Sequence, residues 1–193
     1  MKLPIVAYGH PVLRKVGVEI DKEYPELSKL MEDMWETLYH SNGVGLAAPQ
    51  VNKAIRLFLV DTLQIVESFD DEDKKEYPNE IGIKKVFINA RKIEESGHEW
   101  AYNEGCLSIP KIREDIKRLS RVKIEYWDEN FERHEDVFEG IAARVIQHEY
   151  DHIEGKLFID YLPQLKKRLI KKKLDDISMG KVQTDYRMLF PKS

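Results

Sequence analysis

From residue 25 to residue 40 the chain reads PELSKLMEDMWETLYH, and its apolar positions, Leu27, Leu30, Met31, Met34, Trp35 and Leu38, recur every three or four residues. That spacing predicts an α-helix with one buried face. Pro25 suits its first turn, and Ser41-Asn42-Gly43 supplies the stop. IRLFLVD (55–61) is a continuous apolar run, as expected of a strand buried on both faces, and KKVFINA (84–90) predicts another strand. Between them, DDEDKKEYPNE (70–80) is acidic and polar and is expected to be a solvated loop. VKIEYWDENFERHEDVFEG (122–140) predicts a hairpin turning near Asp128-Glu129-Asn130. A helix is expected over 139–153, and a last helix from Pro163 to about Gly180. Beyond it, Val182, Thr184, Tyr186, Met188 and Phe190 alternate with mostly polar residues, which predicts a terminal strand on a sheet edge.

Hairpins and separated helices point to an α+β fold, not to alternating βαβ units. The expected architecture has antiparallel or mixed β-sheets around the 139–153 helix. An N-terminal helix and a C-terminal helix with a short terminal strand complete it. With 193 residues and no internal repeat or low-complexity linker, a single domain over 1–193 is expected. Net charge is −4, which gives no general affinity for nucleic acid. The lone cysteine, Cys106, excludes an internal disulfide and fits a reducing compartment. MKLPIVAYGHPVL has neither an apolar signal core nor an Arg/Ser-rich transit pattern, and no apolar run is long enough to span a membrane. A cytoplasmic location is expected.

The chemistry concentrates in VIQHEYDHIEG (145–155). On a helix, Ile141, Val145, His148 and His152 form one stripe, and Ala142, Ile146, Glu149 and Ile153 the stripe beside it. Arg144, Gln147, Asp151 and Glu154 fall on the opposite side, expected to be the polar one. Two imidazoles one turn apart on an inward face can hold one metal ion, and the glutamate after the first can take a proton from water.

A third ligand is then needed. The metzincin pattern holds as far as Gly155 but meets Phe158 where its third histidine belongs. Asp160, Asp175 and Asp176 are downstream candidates without a convincing position. Upstream, Cys106 in EGCLSIP lies beside Gly105, and a Cys-His-His set with an open fourth position has the makeup of a catalytic centre. Residues 43–50, GVGLAAPQ, match a dinucleotide fingerprint in spelling. A helix precedes the glycines and Pro49 forbids the helix that should follow, so that reading is set aside. A loop whose backbone lies against a substrate, with the Gln50 amide as a donor, is the functional alternative.

GVGLAAPQ, EGCLSIP and QHEYDH, in that order, together resemble the peptide deformylase family, which removes the N-formyl group from new bacterial proteins. HPVLRK and GKLFIDYL also resemble it. The resemblance implies Cys106, His148 and His152 as metal ligands and Glu149 as the catalytic acid and base. It implies Gln50 and the Leu107 N–H as holders of the oxyanion. A formylmethionyl peptide would add as a strand near Val44, Gly45 and Gly105. Val44, Ile141 and Val145 would line its methionine pocket, with Glu104 nearby. The family's usual metal is ferrous iron, with zinc, nickel or cobalt able to substitute.

Asn52 departs from the family's usual glycine, and 62–85 looks longer than in short members, as a surface insertion would. LKKRLIKKKL (165–174) is a basic face that fits solvation or, through Lys166, Lys167, Lys171 and Lys173, ribosome docking. Two rivals remain at this level: a metallopeptidase acting on ordinary peptide bonds, and a binding protein that keeps the fold without turnover.

Overall fold

The computed structural model describes residues 1–191. Its elements run β1 (Ile5–Val6), α1 (Leu27–His40), β2 (Gly45–Ala47), β3 (Leu57–Asp61), α2 (Leu63–Glu67), α3 (Asp71–Glu76), β4 (Lys84–Cys106), β5 (Ile109–Trp127), β6 (Arg133–Glu139), α4 (Gly140–Ile153), α5 (Gln164–Ser178) and β7 (Met188–Leu189). The α+β class expected from the pattern is what forms. β2 to β6 make one antiparallel sheet in chain order, and β1 pairs in parallel with β7.

β4 and β5 are far longer than KKVFINA suggested, because the ladder continues through the polar stretch 91–104 to Cys106. Register shifts interrupt it between Ile88 and Arg91, Lys92 and Glu94, and Ser96 and Glu99. Such bulges bend a ladder, so one hairpin serves two places. Its first part pairs with β3, and its far end carries Cys106 to the site.

Three apolar clusters surround α4 and the sheet. Phe58, Phe87, Tyr126 and Ile146 belong to one, Met34, Leu38, Leu57 and Leu59 to a second under α1, and Ile109, Phe158, Leu174 and Ile177 to a third under α5. Of the α1 stripe, Leu27, Met31, Met34 and Leu38 are buried, and Leu30 and Trp35 are half-buried against the same cluster.

Three expectations change. The 70–80 segment is not all loop: Asp70 caps α3 by accepting from the Glu72 and Asp73 N–H groups, and acids in its first turn with Lys74 and Lys75 in its last suit the helix dipole. The terminal strand is shorter than its alternation suggested, since its partner β1 offers two residues only. The supposed polar side of α4 is not solvated: Arg144, Gln147 and Asp151 are buried.

Candidate active site

α4 begins at a backbone position that needs glycine, Gly140 at φ +59°, and the Ile141 N–H is capped from the 62–85 segment by the Glu80 carboxylate at 2.8 Å. From there the helix runs through the core and delivers His148, Glu149 and His152, all buried. Cys106 ends β4 and reaches them from the sheet. Its Sγ is 3.3 Å from His152 Nε2, and one ligand atom from each of Cys106, His148 and His152 lies within 4.8 Å of the other two. The downstream candidates are elsewhere: Asp160 is held by Arg14 and Asp175 by Lys171. Phe158, where a metzincin has histidine, lies nearly parallel to the His148 ring at 5.9 Å.

The residues fit a metal ion. Three N/S donors leave an open position, as catalytic centres require. Beside them, the buried Glu149 Oε2 has no hydrogen-bond partner among the described residues. An orphaned oxygen at such a place is one that water or an ion can complete.

The charges are arranged around His148. Its Nδ1 meets Glu104 Oε2 at 2.9 Å, which fixes the ring and leaves Nε2 for an ion. Glu104 also accepts from Arg118 Nε at 2.7 Å and Arg144 Nη1 at 3.0 Å. Arg118 turns its other nitrogen to Asp151 at 2.7 Å, and Tyr161 donates to the same carboxylate. Two carboxylates and two guanidiniums thus balance inside the protein. Burial alone would raise the Glu104 carboxyl, but hydrogen bonds from His148 and Arg118 outweigh it and hold it well below the usual range.

The histidines are driven apart. Burial opposes charge on both, yet Cys106 and Glu104 raise His148 well above the ordinary imidazole value, whereas burial and the neighbouring His148 put His152 well below it. Glu149 has no such partner, and burial pushes its carboxyl up to about 7. A carboxyl poised near neutrality can both accept and return a proton.

Gly45 explains why Glu149 can sit there. A Cβ on Gly45 would stand 2.7 Å from Glu149 Cδ and Cγ, inside van der Waals contact. At Gly105 the nearest atom is Arg113 Nη1, at 2.7 Å, the movable end of an exposed side chain. Gln50 is turned by the Ala47 N–H, which donates to its Oε1 at 2.8 Å, so its Nε2 faces Cys106 Sγ and Ser108 Oγ, each 3.4 Å away.

A cleft of about 520 Å³ opens over this set. Val44, Gly45, Gln50, Glu104, Gly105, Cys106, Leu107, Val145, His148 and Glu149 line it, together with residues 183–186 of the tail. His152 lies beneath, and Ile141 is packed in the core cluster instead of lining the cleft. β2 is the end strand of its sheet, so among the described residues its outer edge has no strand partner.

The model of the polypeptide deformylase family matches residues 2–168. The chain belongs to the polypeptide deformylase family. The peptide deformylase of Christiangramia forsetii is 54% identical over 99% of this chain and 97% of its own length, and that of Flavobacterium psychrophilum is 54% identical over 100% and 99%. Among solved structures, the Thermus thermophilus peptide deformylase superposes with a TM-score of 0.78 at 32% identity, covering 93% of this chain and 99% of its own. A Met-Ala-Ser-bound peptide deformylase of Acinetobacter baumannii gives 0.73 at 30% identity, over 84% and 99%. This is therefore a peptide deformylase hydrolase acting on N-terminal formyl groups, in a family that implies a metal-dependent enzyme.

Sequence reasoning missed Arg118, Arg144 and Asp151. The one available signal was Arg144 and Asp151 on a helix whose flanking positions, Ala143, Val145 and Ile146, are apolar. Tyr186, whose hydroxyl donates to the Leu107 carbonyl at 2.8 Å, had no sequence signal beyond its place in an alternating tail.

Proposed function

We propose that this deformylase hydrolyses the formyl amide of formylmethionyl peptides with Glu149 as base and then acid, and with Gln50 and the Leu107 N–H as oxyanion donors. The observation that carries the reading is Glu149: buried, held near neutral pKa, with an unpartnered oxygen beside the Cys106-His148-His152 set. Those three residues would hold one divalent ion, ferrous iron in the cell, with zinc, nickel or cobalt as substitutes. When bound, such an ion supplies Lewis acidity and a nucleophile at neutral pH.

The peptide adds as a strand along β2, near Val44, Gly45 and Gly105, with its methionine against Val44 and Val145. Glu104 does its work from behind, by orienting His148, and Ile141 backs the pocket from the core. As water adds to the formyl carbon, its proton passes to Glu149. The developing oxyanion is met by Gln50 Nε2 and the Leu107 N–H, and a donor of this kind is worth ~3–4 kcal/mol in the transition state. Glu149 then returns the proton to the departing amine, and formate leaves.

The test is formate release from formyl-Met-Ala-Ser by anaerobically loaded protein. Glu149→Ala should keep its metal and lose ~10²–10⁴-fold in turnover. A variant that turns over like wild type sinks the base assignment. Activity on unformylated peptides would instead favour the metallopeptidase rival.

The reading extends to a single-domain cytoplasmic enzyme; no helix among the described residues is long and apolar enough to cross a membrane. For ribosome contact, α5 presents exposed Leu165 and Leu169 among its lysines. Lys166 and Lys171 are ion-paired with Glu114 and Asp175, and Lys167 donates to the Asp160 carbonyl. Lys173 is exposed. Changing all four lysines to glutamine should abolish salt-dependent co-sedimentation with ribosomes; equal binding by the variant refutes the contact.

A further inference from the structure

The turn between β4 and β5 is two residues long, Leu107 and Ser108, and carries the oxyanion donor directly after Cys106. The Cys106–Ile109 pair closes this connection at its base, and contacts from outside the hairpin hold its backbone further. Here three separate parts of the chain grip it. The Tyr8 N–H donates to the Ser108 carbonyl at 2.9 Å. Gln50 Nε2 lies 3.4 Å from Ser108 Oγ. The Tyr186 hydroxyl donates to the Leu107 carbonyl at 2.8 Å.

The third grip comes from beyond residues 2–168, the part of the chain that the family model matches. The tail that brings it is itself secured. β7 pairs with β1 two residues past Tyr186, and the Thr184 hydroxyl donates to the Tyr186 carbonyl at 2.7 Å. Val182, Met188 and Phe190 pack on the cluster that also receives Cys106. Residues 183–186 then form one wall of the cleft.

We infer that Tyr186 is a positioning residue for deformylation, acting through Leu107 to aim its N–H at the oxyanion. The inference rests on the proposed role of that N–H. Anchoring the Leu107 carbonyl restrains rotation about the Leu107 backbone, and with it the direction of the N–H on the same residue. Catalytic donors are effective only when held in place beforehand, and small misplacements at a reacting centre are costly. Tyr186 lines the cleft, and its hydroxyl is spent on the Leu107 backbone carbonyl, so a loss of peptide binding would show in KM and a loss of aim in kcat.

Tyr186→Phe removes the hydroxyl and keeps the ring. Formate release from formyl-Met-Ala-Ser by metal-loaded enzyme should fall ~10-fold in kcat, with KM and metal content near wild type. The same pair of enzymes is then compared on thioformyl-Met-Ala-Ser, releasing thioformate. Sulfur is a weak hydrogen-bond acceptor, so donor aim matters less and the wild-type-to-variant ratio should shrink towards one. A purely structural role would lower both activities alike, and an equal ratio on the two substrates overturns the inference, as does a variant with wild-type kcat. Failure of the underlying reading looks different: wild type itself releases no formate, or Gln50→Ala leaves kcat unchanged.

Discussion

Helices α4 and α5 are nearly equal in length, 14 and 15 residues, and both mix apolar with charged positions. Twelve side chains of α4 are buried and three of α5. The difference lies in what each charge meets. Along α5 most lysines point to water and the buried stripe is Ile170, Leu174 and Ile177 alone. Around α4 the hairpin β4–β5 wraps the polar side as well, and Glu104 and Arg118 on that hairpin answer Arg144 and Asp151 on the helix. A charge on a helix is therefore solvated or structural according to its cross-strand neighbours, which the helix's own periodicity does not report.

The largest effect that separates the two regions should come from Arg118→Leu. It strands Glu104 and Asp151 without their shared cation, and breaking a buried pair costs ~3–5 kcal/mol. Urea unfolding of the metal-loaded protein measures it; a loss under ~1 kcal/mol would mean the network is not what distinguishes α4.

Gly45→Ala comes next. The added methyl meets the Glu149 side chain, so kcat should drop ~100-fold while the melting temperature moves little. Unchanged turnover would show that Glu149 has slack the geometry denies.

The smallest effect belongs to Arg14 and Asp160, the half-exposed pair at the turn before α5. Burial would raise the Asp160 carboxyl, but hydrogen bonds from Arg14 and the Leu157 N–H outweigh it and hold it low. A carboxyl lowered by folding adds stability that is complete above its unfolded value of ~4 and lost as pH falls through the lower folded one. Arg14→Gln should therefore cost under ~1 kcal/mol near neutrality, screened as surface pairs are, and the gap from wild type should close at acid pH. A gap that persists there assigns the effect to packing of the Arg14 stem instead of its charge.

Much of the site was legible because its chemistry is local. His148, Glu149 and His152 are fixed relative to one another by helical spacing, and an apolar stripe beside them says which way they face. The glycines were legible as close approaches, though not what they approach: Gly45 makes room for Glu149, and Gly105 lies beside the Arg113 side chain. Two of the aspartates downstream of α4, which the sequence left without a convincing position as third ligands, are engaged elsewhere: Asp160 by Arg14 and Asp175 by Lys171.

What the sequence by itself determined was the α+β class, the principal helices α1, α4 and α5, and the identity of the groups able to do chemistry. What only the tertiary structure decided was the company they keep. Glu104 stands next to Cys106's neighbour in the chain, yet its work is on His148, 44 residues away. Tyr186 reaches Leu107 across 79. Contacts over such separations depend on how β4 and β5 bend and where the tail docks, and those are settled by burial summed over the whole chain, which no local pattern encodes.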